Sequence, residues 1–220
     1  MIHIYYHIYA IEGVEKIVDE QLNLIEKFID SPYILNVGIS IADDNSPTDK
    51  IIEKFYSYRK PNYRIRDIRS KGHELVTLDL IEKDIEKFGD TDYILYLHTK
   101  GASKQSDNRI ENITSWRHLM NYYNIELWRD AITVFNNSTY NTYGVLFGKW
   151  GSWILYSGNF WWMTAKYAKT LNLEGIKKTS RYSAEHSFIQ SGKDWKPYSP
   201  YNSNASDIYS QLFTRDEYAK

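Results

Sequence analysis

The chain has 220 residues, no cysteine, and a nearly balanced charge of 27 Lys and Arg against 28 Asp and Glu. The balanced charge argues against a nucleic-acid binder, and the absence of thiols excludes disulfides, thiolate metal sites and a cysteine nucleophile. No apolar run reaches the roughly 18 residues of a membrane span, and the amino terminus lacks a signal-peptide layout. We therefore expect a soluble, cytoplasmic protein with one domain over residues 1–220.

The first hundred residues alternate between predicted strands and helices. Apolar β-branched runs predict strands, and apolar residues at spacings of three and four predict helices, with stops near Pro32, Pro61 and Gly89. Because successive βαβ units build parallel sheets, we expect an α/β protein with three layers, a Rossmann-like fold whose mostly parallel central sheet is flanked by helices. The predicted strands cover 2–6, 33–41, 63–67 and 93–97, and the predicted helices cover 12–29, 48–58 and 75–88.

The pattern is less regular beyond Gly101. The last twenty residues follow Pro197 and Pro200 and are expected to form an arm or a link to further chain. The other predicted elements are a polar loop over 104–112, a long helix over 115–135, a strand over 143–147, an aromatic loop over 148–158, and short helices over 160–171 and 184–191.

The fourth predicted strand ends in His98, Thr99 and Lys100, followed by Gly101. Ligands of open α/β sheets bind outside the carboxyl ends of the strands, and an imidazole beside a cation favours an anion such as a diphosphate. His98 and Lys100 alternate with Thr99, so we expect both side chains on the same side. His98 could also bind a divalent metal, and a purely structural histidine is an equally good interpretation.

Three other segments carry candidate side chains. Asp43 and Asp44 follow the second strand, where carboxylates can accept hydrogen bonds from a base or ribose, although a plain turn is the commoner explanation. Lys71 and Gly72 precede the third helix, where amides attract anions, and a turn glycine again explains the pattern more simply. Glu185 follows the aromatic loop and could be a desolvated general base or a carboxylate at a helix start.

The order of these segments resembles that of GT-A fold glycosyltransferases. Residues 41–49, 71–72 and 92–97 are similar to the nucleotide-binding half, which would cover about 1–101. Residues 158–162 and 181–185 are similar to the acceptor half, which would cover about 102–200. The His-Thr-Lys and Gly-Asn-Phe-Trp-Trp motifs resemble the rhamnan-synthesis type, and the whole chain resembles the amino-terminal glycosyltransferase domains of viral capsid-glycan enzymes, which implies the host cytoplasm as location.

The resemblance implies an inverting hexosyltransferase that moves a glucose- or rhamnose-like sugar from a UDP-sugar to a glycan or glycoprotein acceptor. Glu185 is the implied general base and Lys100 the implied catalytic cation. The implied donor-binding residues are His7, Asp43, Asp44, Lys71, Gly72, His98 and Gly101, and the implied acceptor-binding residues are Trp150, Trp153, Asn159, Trp161 and Trp162.

His98 and Lys100 depart from the family pattern, because they stand where these enzymes have an Asp-x-Asp metal motif. A divalent cation such as Mn or Mg would then depend on His98, or on Asp43 or Asp44, and Lys100 facing the diphosphate is the alternative. The competing interpretation is a non-catalytic module that binds a nucleotide sugar or carbohydrate. A phosphohydrolase would need a carboxylate nucleophile pair or a glycine-rich phosphate loop, and the sequence has neither.

Overall fold

The structure, a computed structural model, describes residues 1–70, 72–151, 153–174, 176, 185–205 and 207–219. Its strands are β1 (Ile2–Ala10), β2 (Tyr33–Ile41), β3 (Tyr63–Arg69), β4 (Tyr93–His98), β5 (Thr142–Gly144), β6 (Phe147–Trp150), β7 (Trp153–Tyr156), β8 (Trp161–Thr164) and β9 (Pro197–Tyr198). Its α-helices are α1 (Glu15–Phe28), α2 (Thr48–Ser57), α3 (Leu75–Asp84), α4 (Ile110–Asn121), α5 (Trp128–Asn137), α6 (Ala165–Ala168) and α7 (Arg215–Tyr218).

Seven strands form one central sheet in the order β3-β2-β1-β4-β8-β5-β9, and β6 and β7 form a separate hairpin. β8 runs antiparallel to both of its neighbours, whereas the other paired strands of the sheet run parallel. The predicted α/β architecture with a mostly parallel sheet is confirmed. The chain continues from β1 to β2 on one side and returns to β4 on the other side, so the crevice between β1 and β4 is a topological switch point.

Two apolar cores lie on opposite faces of the sheet, because successive residues of a strand point to opposite sides. Tyr6 and Leu95 belong to the core that α1, α2, α4 and α5 cover. Tyr5 and Tyr96 belong to the core under α3. Strands buried on both faces read as continuous apolar runs, which is why the sequence marked β1, β2 and β4 clearly.

Two predictions for the second half of the chain are wrong, and a third, the helix over 115–135, is helical but interrupted. The predicted helix over 160–171 is strand β8 followed by the short α6, and the predicted helix over 115–135 is divided into α4 and α5 by a wider turn at Tyr122–Glu126. The indole of Trp162 donates to the carbonyl of Asn124 (2.9 Å), which stabilises that wider turn. The predicted aromatic loop contains the β6–β7 hairpin.

The predicted arm at the carboxyl end is also wrong. Pro197 and Tyr198 pair with β5 as the edge strand β9, and the side chains of Ile208, Phe213 and Tyr218 are buried in the first core. Their apolar contacts hold this segment against the domain. No helix in the described part of the chain combines the length and apolar character needed to cross a bilayer.

Candidate functional site

A cleft lies at the carboxyl ends of β1 and β4, at the switch point of the sheet. It unites candidates from four separate segments, which sequence spacing alone could not bring together. The candidate residues that line it are His7, His98, Lys100, Gly101, Asn159 and Glu185, and Tyr9, His73, Glu74, Thr99 and Tyr209 are among their neighbours.

The turn after β4 separates the two candidate cations. β4 ends at His98, and the chain turns through Gly101, which has a left-handed φ of 90°. His98 therefore lies on the α3 side near Glu74, whereas the ammonium of Lys100 lies over the ring of Trp116 in α4. The expectation that both side chains point to the same side of the strand is wrong, although both line the cleft.

Two buried side chains hold the backbone of this turn in place. Gln21 donates to the carbonyl of His98 (3.2 Å), and Arg117 donates to the carbonyl of Lys100 (3.0 Å). Arg117 is itself paired with Glu20 at 2.9 Å. Burial opposes ionisation of Glu20, but hydrogen bonds from His118 and Arg117 lower its pKa to about 2. The Glu20 carboxylate therefore stays charged and holds Arg117, which in turn fixes the backbone of the turn that carries Lys100.

His98 is buried and has a defined ring orientation. Its Nε2 is 2.9 Å from the carbonyl of Gly158, and because a carbonyl oxygen only accepts, Nε2 carries the proton. Its Nδ1 is 3.9 Å from the Glu74 carboxylate. The ring also contacts Phe160 edge to face, with centroids 5.2 Å apart. These contacts fix the imidazole at the floor of the cleft.

Glu74 is a charged cleft residue that the sequence did not identify as a candidate. Its carboxylate accepts hydrogen bonds from Tyr96 (2.9 Å) and from the amide of Asn159 (2.5 Å). Burial alone would raise the pKa of Glu74, but the neighbouring His98 and these hydrogen bonds lower it below its usual value. Glu74 is therefore a stable carboxylate that organises its neighbours. The sequence feature that could have identified Glu74 is its position directly after Gly72-His73, at the start of α3.

His7 and His98 are neighbours across the β1–β4 pairing. The Thr77 hydroxyl donates to the Gly38 carbonyl at 3.4 Å, so it accepts from Nδ1 of His7 at 3.0 Å, and Ser40 lies 3.1 Å from Nε2. Burial lowers the pKa of His7 to about 3. His7 is therefore neutral at physiological pH and contributes no positive charge to the cleft.

Glu185 also lines the cleft. Its charge acts on Tyr96, whose pKa is raised by burial first, then by Glu74, and also by Glu185. The next residue, His186, stacks on Trp153 with ring centroids 4.4 Å apart. Trp153 is 41% exposed and is paired with Trp150 across the β6–β7 hairpin. An aromatic surface therefore adjoins the segment that carries Glu185.

Three other donor-side candidates, Asp43, Asp44 and Gly72, lie outside the lining of this cleft. Asp43 caps a turn, since its carboxylate accepts from the amide of Asn45 (2.9 Å), and the neighbouring Asp44 is exposed. This is the plain-turn geometry that the sequence also allowed. Gly72 has a φ of 124°, which explains glycine at that position. Lys71 lies outside the described residues.

The predicted acceptor role of Trp161 and Trp162 is corrected by their burial, because both are 0% exposed. As successive residues of β8 they point into opposite cores. The indole of Trp161 donates to the Asn159 side chain at 2.9 Å. Both are core residues with satisfied indoles, and neither presents a ring face to a ligand.

The residues of the cleft do not fit a divalent metal. The described residues contain no group of three or more His, Asp or Glu side chains that could hold one. His98 uses its Nε2 proton on Gly158, and Glu74 accepts from Tyr96 and Asn159. Two lysines of the described residues line the cleft, Lys100 and Lys104, and Lys104 lies 3.9 Å from the Asp107 carboxylate.

Among solved structures, the chain is similar to one titled 4-diphosphocytidyl-2C-methyl-D-erythritol synthase, with 17% identity, coverage of 83% of this chain and 82% of that chain, and a TM-score of 0.37. A similarity at that TM-score supports no inference about fold or function. No curated protein matches the chain significantly. Residues 3–202 match the family described as "Domain of unknown function (DUF8361)", and the chain therefore belongs to the DUF8361 family.

Proposed function

We propose that this chain is a nucleotide-sugar-dependent glycosyltransferase with a GT-A fold. The observation that carries the proposal is the cleft at the switch point, which is lined by a cation, Lys100, and by a carboxylate, Glu185. Sugar transfer from a nucleoside diphosphate requires positive charge at the departing diphosphate and a proton acceptor at the attacking hydroxyl. The resemblance to rhamnan-synthesis glycosyltransferases supports the role of Glu185, and Lys100 stands where the family has its Asp-x-Asp metal motif.

In the proposed reaction, an acceptor hydroxyl oxygen attacks the anomeric carbon of a UDP-hexose or UDP-deoxyhexose. A carbon–oxygen bond to the acceptor forms as the bond between that carbon and the diphosphate oxygen breaks. Glu185 takes the proton of the hydroxyl, and Lys100 stabilises the charge of the departing UDP. A single displacement inverts the configuration at the anomeric carbon. The product is an extended glycan or glycoprotein.

Glu185 suits the role of base better than Glu74 does. Two hydrogen bonds to Glu74 and its lowered pKa make it a weak proton acceptor near neutral pH. Glu185 also lies next to the partly exposed aromatic surface at Trp153, through the stacked His186. Aromatic faces stack on sugars, so an acceptor at Trp153 would come close to Glu185. The proposed role of Asp43 and Asp44 in binding the uridine is supported by the family resemblance alone.

Calorimetric titration with a panel of UDP-sugars, in Mn²⁺ and again in EDTA, tests donor binding. We expect binding that survives EDTA, because Lys100 supplies the charge and no metal step is needed. Binding that disappears in EDTA would contradict that assignment. Absence of binding in both conditions would contradict the glycosyltransferase proposal.

The Glu185→Gln variant tests the base. We expect unchanged donor affinity and a loss of transfer of about 10²-fold or more, since Gln cannot accept the proton. Glu111→Gln, at an exposed position in α4, is the matched control and should transfer at the normal rate. Strong transfer by Glu185→Gln would rule out this base. Donor binding without either transfer or slow donor hydrolysis in the unmodified protein would identify a binding module instead.

A further inference from the structure

The carboxyl-terminal segment contributes a side chain to the cleft. Ile208–Ser210 forms one helical turn, and the ring of its central residue, Tyr209, lines the cleft. Asn112 donates to the Tyr209 carbonyl (3.1 Å), and the amide of Phe213 donates to Ser115 (3.0 Å). Both partners lie on α4, so α4 fixes the position of the segment on either side of Tyr209.

Tyr209 and Trp116 together form an aromatic cradle around the ammonium of Lys100. Nζ lies 4.1 Å from the ring centroid of Trp116 and 5.5 Å from that of Tyr209. The two rings meet edge to face, with centroids 5.2 Å apart and an interplanar angle of 89°. Both distances are within the roughly 6 Å over which an aromatic face attracts a cation. Arg109 covers the Tyr209 ring as well, at 5.2 Å.

Other cations around the cleft are held differently. Lys104 and Arg109 both pair with Asp107, at 3.9 and 3.1 Å, and Arg117 pairs with Glu20. Within the described part of the chain, no carboxylate forms an ion pair with Lys100. A carboxylate neutralises the cation that it positions, whereas an aromatic face positions a cation without cancelling its charge. The positive charge of Lys100 therefore remains available to a ligand.

We propose that Tyr209 and Trp116 are positioning residues that hold the ammonium of Lys100, with its charge uncompensated, where it meets a diphosphate. This inference rests on the proposed function, in which Lys100 faces the diphosphate of the donor. It makes the carboxyl-terminal segment a working part of the site, although the segment lies more than 100 residues from Lys100 in sequence.

The first test measures binding of inorganic pyrophosphate, and then of UDP, by calorimetry. We expect Tyr209→Leu to weaken both by between about threefold and tenfold, the range that a partly desolvated cation–π contact supports. Tyr209→Phe should restore most of that loss, because the ring and not the hydroxyl holds the ammonium. Leu212→Ala, in the same segment and 44% exposed, is the matched control and should bind normally.

The second test measures the reactivity of the Lys100 amine and needs no ligand. Trace acetylation followed by mass spectrometry should show faster modification of Lys100 in Tyr209→Leu than in the unmodified protein, and Tyr209→Phe should protect the amine again. Equal reactivity in Tyr209→Leu and the unmodified protein would overturn the cradle. A general loosening of the fold would instead raise the modification of other lysines in parallel.

Lys100→Met separates the two proposals. If Lys100→Met abolishes pyrophosphate binding and Tyr209→Leu leaves it unchanged, the cradle is wrong and the diphosphate role of Lys100 stands. If Lys100→Met binds pyrophosphate and UDP as tightly as the unmodified protein, the role of Lys100 in the proposed function is wrong as well.

Discussion

The two histidines at the carboxyl ends of β1 and β4 are adjacent but have different surroundings. His7 is enclosed by Ser40 and Thr77 and is 2% exposed, so burial keeps it neutral. His98 lies 3.9 Å from the Glu74 carboxylate and donates to the Gly158 carbonyl. The distinction depends on α3, which brings Glu74 and Thr77 to the sheet. The sequence alone could not distinguish a structural histidine from a ligand-facing one.

His7 makes the stability of the protein sensitive to mild acid. Its pKa is about 3 in the folded protein and 6.5 when unfolded, so the unfolded state binds the extra proton and stability falls as the pH drops from 6.5 towards 3. Between pH 7 and pH 5 we expect His7 to account for a loss of about 2 kcal/mol in the free energy of unfolding.

Urea unfolding of the unmodified protein and of His7→Gln at both pH values measures this contribution. The other histidines, including His186 with its pKa lowered by burial, are common to both proteins and cancel in the comparison. The unmodified protein should lose about 2 kcal/mol more than His7→Gln between pH 7 and pH 5. Equal losses in the two proteins would show that His7 does not stay neutral when folded.

Asn159 and Glu74 are 85 residues apart in sequence, and a hydrogen bond joins their side chains at the cleft. The Asn159 amide donates to Glu74, and its oxygen accepts from Trp161. Asn159 has a left-handed φ of 57°, which asparagine tolerates well. The Gly-Asn-Phe-Trp-Trp motif was therefore a good indicator of the site, although its tryptophans serve the core and its asparagine serves the cleft.

At the level of secondary structure, the position of α3 depends on a close approach to β2. A Cβ placed on Gly38 would overlap the Thr77 hydroxyl and lie 3.1 Å from the Thr77 Cα. Thr77 also holds His7, and Glu74 at the start of the same helix holds Asn159. A shift of α3 away from the sheet would therefore disturb the floor of the cleft.

We expect Gly38→Ala to lower the free energy of unfolding by about 1–3 kcal/mol, the usual cost of overpacking, and to weaken pyrophosphate binding through the displaced Glu74. Gly148→Ala is the matched control, because the nearest atom to its added Cβ would be 3.9 Å away, in ordinary contact. Its stability should change by less than about 0.5 kcal/mol. A Gly38→Ala protein as stable as this control would contradict the close packing of α3.

Helices and strands were predicted most accurately where neighbouring residues, such as a proline or a turn, mark their ends. β2 has the predicted bounds, since Pro32 precedes it and the turn at Asp43 follows it. β8 was mistaken for a helix because its four residues pair only with strands that are distant in sequence. Those strands are β4, through Tyr93–Tyr96, and β5. Such pairing leaves no local periodicity to read. Helix and strand types in the first hundred residues followed from spacing, whereas β8 and the β6–β7 hairpin required the tertiary structure.

For the whole molecule, the position of the cleft was the most predictable feature of the site. Alternating strands and helices imply a parallel sheet, and a polar strand end at His98 indicates the ligand edge. The participation of Tyr209 was not predictable, because a segment that follows two prolines and has few apolar residues resembles a tail. Its order comes from packing against α4 and the first core.

Phe213 tests whether this segment folds as part of the domain. It is 3% exposed within the first core, so Phe213→Ala should lower the free energy of unfolding by about 3–5 kcal/mol, with one transition seen by both fluorescence and circular dichroism. Leu212→Ala removes a side chain of similar size at a 44% exposed position and should cost less than about 0.5 kcal/mol. If both variants were as stable as the unmodified protein, the segment would be a detachable arm, and its Tyr209 could not hold Lys100 in the cleft.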